Sequence, residues 1–127
     1  DTLSICLKVF TAMFETLTFR TERMERGAAE GFANATDAAD YLVRHGLAFR
    51  DAHEVVGRLV AYCVKENKAL LDLPLETLQT FSPAFEADVF EAISPQACVA
   101  LRNLPGGPAP EAVKAAIEDY QKKKKAE

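Results

Sequence analysis

The chain has no CxxC pair, no apolar run approaching the ~18 residues that a membrane span needs and no glycine-rich loop after a strand, and no secretory leader is expected. Each absence removes a class of protein. Cys6, Cys63 and Cys98 are odd in number and widely separated, with two of them inside helical apolar patterns, so a disulfide framework or a zinc site is not expected. Buried, reduced thiols in a cytoplasmic protein fit better. Positive charge is also in deficit: 15 Lys and Arg against 19 Asp and Glu leave a formal net charge of −4. That balance supplies no basic face to displace counterions from phosphates, so no nucleic acid and no membrane is expected as a partner. What remains is the composition of an ordinary soluble protein, 49% hydrophobic and 27% charged, with 127 residues sufficient for one domain and a modest core. The chain has no initiator Met and opens abruptly at Asp1-Thr2-Leu3, as a fragment of a longer protein would.

The densest positional signals lie between Asn34 and Gly57. Thr36 suits a helix N-cap, and Asp37 and Asp40 follow in the first turn, where carboxylates favour the positive end of the helix dipole. Arg44 and His45 suit the other end, and Gly46 can adopt the left-handed conformation that closes a helix. A second helix is expected from Phe49, because Ala52, Val55, Val56, Leu59, Val60 and Cys63 recur at helical spacing and form one stripe. Residues 2–26 read as one long helix free of Gly and Pro. Leu3, Cys6, Leu7, Phe10, Met13, Phe14 and Leu17 line it, with Ile5, Val9 and Phe19 widening the apolar face beyond what a small domain covers.

Beyond residue 66 the reading is of short helices and loops. Pro74 suits the first position of a helix to Thr80, with Leu75 and Leu78 inward. Ser82-Pro83 and Ser94-Pro95 repeat a serine cap followed by proline, so each is expected to start a short helix, one bearing Phe85, Val89 and Phe90 and the other Cys98, Val99 and Leu101. Pro105-Gly106-Gly107-Pro108 must be a loop. A last helix from Pro110 carries Ala112, Val113, Ala116, Ile117 and Tyr120, with Lys122 to Lys125 as its solvated, fraying end. The fold class is therefore all-α.

Few residues propose chemistry. His53-Glu54 begins like a zinc-helix motif, but Gly57 stands where the second histidine belongs, so no metal is expected. His45 and His53 fall on different helices and suit capping or packing. No serine lies beside a base. Asp37 and Asp40 are accounted for by the helix dipole. Arg50, Asp51 and Glu54 are compatible with an exposed ion-pair cluster or an intersubunit contact, and the sequence does not choose between them.

The order of residues says more than their spacing. Ala35 to Val43, then Gly46, Phe49-Arg50, Ala52-His53 and Gly57, resembles the opening of the C-terminal domain of argininosuccinate lyases, within the fumarase/aspartase superfamily that includes the delta-crystallins. Ala38 replaces a usual Leu and Ala48 a usual Pro. The likeness continues through residues 73–90 and at Gly106-Gly107. It implies that residues 1–26 are the last long helix of a central bundle and residues 27–127 a C-terminal helical domain. It further implies a cofactor-free, cytoplasmic homotetramer that cleaves argininosuccinate to arginine and fumarate in arginine biosynthesis, with active sites assembled from three subunits. The family's catalytic serine loop is absent from these residues, so no catalytic, cofactor-binding or metal-binding residue is assigned and the chain alone is expected to be inactive. The expected partners are the parent enzyme's other domains and subunits, with self-association through Leu3, Leu7, Phe10 and Phe14. The competing expectation is a free-standing helical interaction module that docks a partner helix on that face.

Overall fold

A computed structural model describes residues 1–126 and is helical, with no strand among the described residues. The elements in order are α1 (Thr2–Glu15), α2 (Thr21–Ala29), α3 (Ala35–Arg44), α4 (Phe49–Glu66), a 3-10 turn (Leu70–Asp72), α5 (Leu75–Phe81), α6 (Val89–Ala92), α7 (Pro95–Ala100) and α8 (Pro110–Ala126). The all-α expectation holds.

The core is built on α3 and α4, which pack against each other across the short link of residues 45–48. Their junction closes as the local sequence dictates: Gly46 takes φ +95°, its N–H donates to the Val43 carbonyl at 3.0 Å, and the Leu47 N–H reaches back to the Leu42 carbonyl at 3.1 Å. These are the two bonds of a Schellman turn. Asn67, at φ 52°, ends α4 in the same way, with the Lys68 N–H on the Cys63 carbonyl at 3.0 Å. The expected stripe of α4 is buried at Ala52, Val55, Val56, Leu59 and Cys63, with Val60 at its edge. Leu42, Leu59, Leu70, Leu78, Phe85, Val89 and Ile93 complete one continuous core. At ~25 cal/mol per Å² this apolar burial is the main force holding the short elements on the α3–α4 pair.

Four expectations need correction. Residues 2–26 are not one helix but two, because the Thr16 hydroxyl turns back on the Ala12 and Met13 carbonyls at 3.3 Å each and residues 17–20 leave helical geometry. The β-branched Thr16 and Thr18 are weak helix formers, and no residue of α1 is buried to hold the helix through them. Asn34, not Thr36, stands at the N-cap of α3, and its amide donates to the Ile93 carbonyl at 3.0 Å instead of capping. Ser82-Pro83 starts a turn rather than a helix: the Ser82 hydroxyl accepts only from the Ala84 N–H at 3.3 Å, and the helix that follows begins at Val89. Cys6 is exposed, so only Cys63 and Cys98 are the buried thiols expected. Ser94 behaves as expected, its hydroxyl accepting from the Ala97 N–H at 3.2 Å with Pro95 in the first turn.

Helices α1 and α8 carry apolar faces that nothing among the described residues covers. On α1 and just beyond it, Leu7, Phe10, Phe14 and Phe19 are exposed, Phe14 at 71%. On α8 the same holds for Val113, Ile117 and Tyr120. Lys122 to Lys125 continue α8 as helix, with Lys123 Nζ 2.7 Å from Asp119.

Candidate functional site

Apart from the exposed bond from Gln96 Nε2 to Glu25 Oε1 at 3.0 Å, the long-range side-chain hydrogen bonds among the described residues lie along one seam, where α3 and the Asn34 before it meet residues 86–102. Tyr41 is the centre of it. The residue is 2% exposed and its ring lies nearly parallel to that of Phe85, with centroids 6.2 Å apart, while its hydroxyl donates to Asp88 Oδ1 at 2.5 Å and accepts from the Glu86 N–H at 3.2 Å. The His45 ring also stacks on it at 4.0 Å, and His45 Nδ1 is 2.9 Å from the Tyr41 carbonyl. Gln79 fixes the same stretch by donating to the Phe85 carbonyl at 3.0 Å. The backbone of residues 85–86, which no helix ladder satisfies, is thus held by two side chains.

At the opposite end of α3, Asp37 is buried and paired with Arg102 through two contacts of 3.1 Å each, Nη1 to Oδ1 and Nη2 to Oδ2. Nη1 of the same guanidinium also donates to the Cys98 carbonyl. Asp37 therefore does more than favour the helix dipole: it fastens the end of α7 to the start of α3. Asp40 has no such role; its carbonyl accepts from Arg44 Nε at 3.3 Å. Arg50, Asp51 and Glu54 are exposed on α4 and form no ion pair among the described residues. His53 stands beside Phe49, with ring centroids 6.1 Å apart, consistent with packing. Glu86, Asp88 and Arg102 carry no signal in the sequence, because their partners are far away in the chain.

The seam has the chemistry of a fastening. Burial, followed by the hydrogen bond to Asp37, pushes the Cys98 thiol up to about 11, so it is a protonated, unreactive group at neutral pH. Burial also raises the Cys63 thiol. Burial and the hydrogen bond to Asp88 push Tyr41 up to about 12 from its ordinary 10.0. A group that holds its proton more tightly when folded stabilises the fold below its unfolded pKa and ceases to as the pH passes its folded pKa. Conformational stability is therefore expected to be level up to about pH 9 and to fall between there and about pH 12. Urea midpoints measured across that range would test this; an unchanged midpoint would refute it.

Fold and seam together define an all-helical domain whose buried polar groups join one segment to another, with large apolar surfaces left on its outer helices. Residues 32–100 match the family described as argininosuccinate lyase C-terminal, more than half of the chain, and the chain belongs to that family. It is 58% identical over 118 residues to an argininosuccinate lyase of Moorella thermoacetica, an alignment covering 93% of this chain and 25% of that protein. The corresponding enzyme of Heliobacterium mobile is 56% identical over 118 residues, covering 93% and 26%. Among solved structures, EDDS lyase in complex with formate superposes with a TM-score of 0.70 at 34% identity, covering 77% of this chain and 22% of that one. An EDDS lyase variant with bound fumarate gives a TM-score of 0.73 at 33% identity, covering 80% and 22%. The chain thus spans about a quarter of the length of the curated relatives it matches.

Proposed function

We propose that this chain is the C-terminal quarter of an argininosuccinate lyase, a cytoplasmic carbon–nitrogen lyase of arginine biosynthesis that releases fumarate, and that its own part is structural and assembling. The observation that carries this reading is the match of residues 32–100 to the C-terminal family, extended by 58% identity over 93% of the chain. On this reading residues 1–26 belong to the central bundle and residues 27–127 to the C-terminal domain, and the chain by itself has no lyase activity. The cleavage needs a base to take a proton next to a carboxylate and an acid to protonate the leaving nitrogen. Cys98 and Tyr41 hold their protons above neutral pH and serve neither role readily.

The experiment is a graft. Residues 1–127 replace the matching last quarter of the Moorella enzyme, and fumarate release from argininosuccinate is followed beside the 127-residue chain alone. Activity of the graft with silence of the chain is expected. Cleavage by the chain alone, or an assembled graft that is inactive, would overturn the reading.

The uncovered face of α1 and residue 19 supports partners in the parent enzyme's remaining helices and in further subunits of a homotetramer. An apolar surface of this extent favours association when its natural cover is missing. The chain alone is therefore expected to self-associate through Leu3, Leu7, Phe10 and Phe14. Sedimentation velocity should show a mass that rises with concentration, and Leu7→Glu with Phe10→Glu should restore the monomer. A monomer at every concentration would instead favour the free-standing interaction module.

A further inference from the structure

The exposed end of α3 brings together three side chains of ligating type that the lyase reading leaves without a task. One ligating atom each from His45, Glu86 and Asp88 lie within 4.8 Å of one another. The histidine is the C-cap of α3, and the two carboxylates come from the turn that leads into α6.

Tyr41 orients two of the three. Its carbonyl, 2.9 Å from His45 Nδ1, accepts a hydrogen bond from that nitrogen, which leaves Nε2 as the ring nitrogen with a lone pair to give. Its ring, stacked at 4.0 Å, fixes the plane of the imidazole. Its hydroxyl holds Asp88 Oδ1 at 2.5 Å and leaves the second carboxylate oxygen free. Histidines that bind metals are commonly held this way, by a hydrogen bond from the ring nitrogen that does not coordinate.

Charge gives an independent argument. Among the described residues neither Glu86 nor Asp88 is in an ion pair, the two salt bridges found being Arg102–Asp37 and Lys123–Asp119. Two carboxylates gathered beside one imidazole concentrate negative charge that a divalent cation would offset. The C-terminal end of α3, where the helix dipole is negative, adds to the same field. One nitrogen and two oxygens suit a first-row transition metal better than magnesium or calcium, which take oxygen ligands.

We propose that His45 Nε2, Glu86 and Asp88 form a binding site for a divalent first-row transition metal of the zinc type, with Tyr41 as the positioning residue. Metal–ligand bonds of about 2.1 Å in tetrahedral array place ligand atoms roughly 3.4 Å apart, so the side chains need only close inward, and exposed rotamers can. A water takes the fourth place. Bound metal pins the end of α3 to the turn before α6, alongside the Tyr41–Asp88 hydrogen bond.

The test uses the 127-residue chain with Cys6→Ser, which removes the exposed thiol as a competing zinc ligand. Calorimetric titration with zinc chloride should show one saturable equivalent. His45→Ala and Asp88→Asn should each weaken it by at least about tenfold and Tyr41→Phe by about tenfold, as loss of a ligand or of its orienting partner does. His53→Ala, which removes the chain's other histidine, should leave it unchanged. Because a variant that unfolds would also lose binding, helicity by circular dichroism is recorded for each. Paramagnetic broadening by nickel in the Cys6→Ser chain should begin at residues 45, 86 and 88. No saturable zinc, binding that survives His45→Ala, broadening centred elsewhere, or equal occupancy by magnesium would each overturn the proposal. None of these readouts depends on lyase activity.

Discussion

Replacing Phe85 by alanine is expected to lower the free energy of unfolding by about 4 kcal/mol, within the range found for large aromatic side chains removed from a core. Phe85 is 1% exposed and heads the largest fully buried side chains. It is also stacked against Tyr41, and Tyr41 in turn holds the Glu86 N–H and Asp88. Removing the ring therefore costs its own burial, leaves a cavity between α3 and the turn at residues 82–88, and loosens a tyrosine that organises the next two hydrogen bonds. Domains of this size are stable by about 5–15 kcal/mol, so the loss is a large share of the total. Urea unfolding followed by circular dichroism would measure it. A loss below about 1 kcal/mol would mean that the site collapses to fill the space, or that the turn contributes little to the core.

The α3–α4 pair was legible because each of its signals is local. Gly46 must close α3 since its φ of +95° is one that side chains rarely adopt, and the α4 stripe follows from period alone. Ser94-Pro95 was legible for the same reason. Ser82-Pro83 looks identical and behaves differently, because three residues later Phe85 is drawn into the core, and the Phe85 carbonyl and the Glu86 N–H are satisfied by Gln79 and Tyr41 instead of by a helix. Local capping rules lose to that burial. The seam was hidden for a related reason: Tyr41 meets Asp88, and Asp37 meets Arg102, across separations of 47 and 65 residues, which no spacing in a single sequence reveals. The helix dipole accounts for an acidic residue at position 37, and it gives no reason for the side chain to be only 6% exposed.

That burial makes Arg102 the second residue on which a large effect is expected. Arg102→Met removes both 3.1 Å contacts and leaves the Asp37 carboxylate enclosed without its cation, so the fold should lose roughly 2–3 kcal/mol. The figure lies below that for a fully buried pair because the Arg102 side chain is itself 46% exposed and water screens part of the interaction. Asp37→Asn should cost less, since the stranded guanidinium can turn outward into solvent while the neutral amide is easier to enclose. The two changes share one interaction, so the double variant should be clearly more stable than the sum of the single losses predicts, with a coupling of about 1 kcal/mol or more. Hydrogen exchange adds the structural readout: if the pair anchors the end of α7, amides of residues 98–102 should exchange faster in Arg102→Met while those of α4 keep their protection relative to global unfolding. Additive losses with unchanged exchange in α7 would show that the pair is a solvent-screened contact, and the start of α3 would then be held to α7 by Cys98 packing alone.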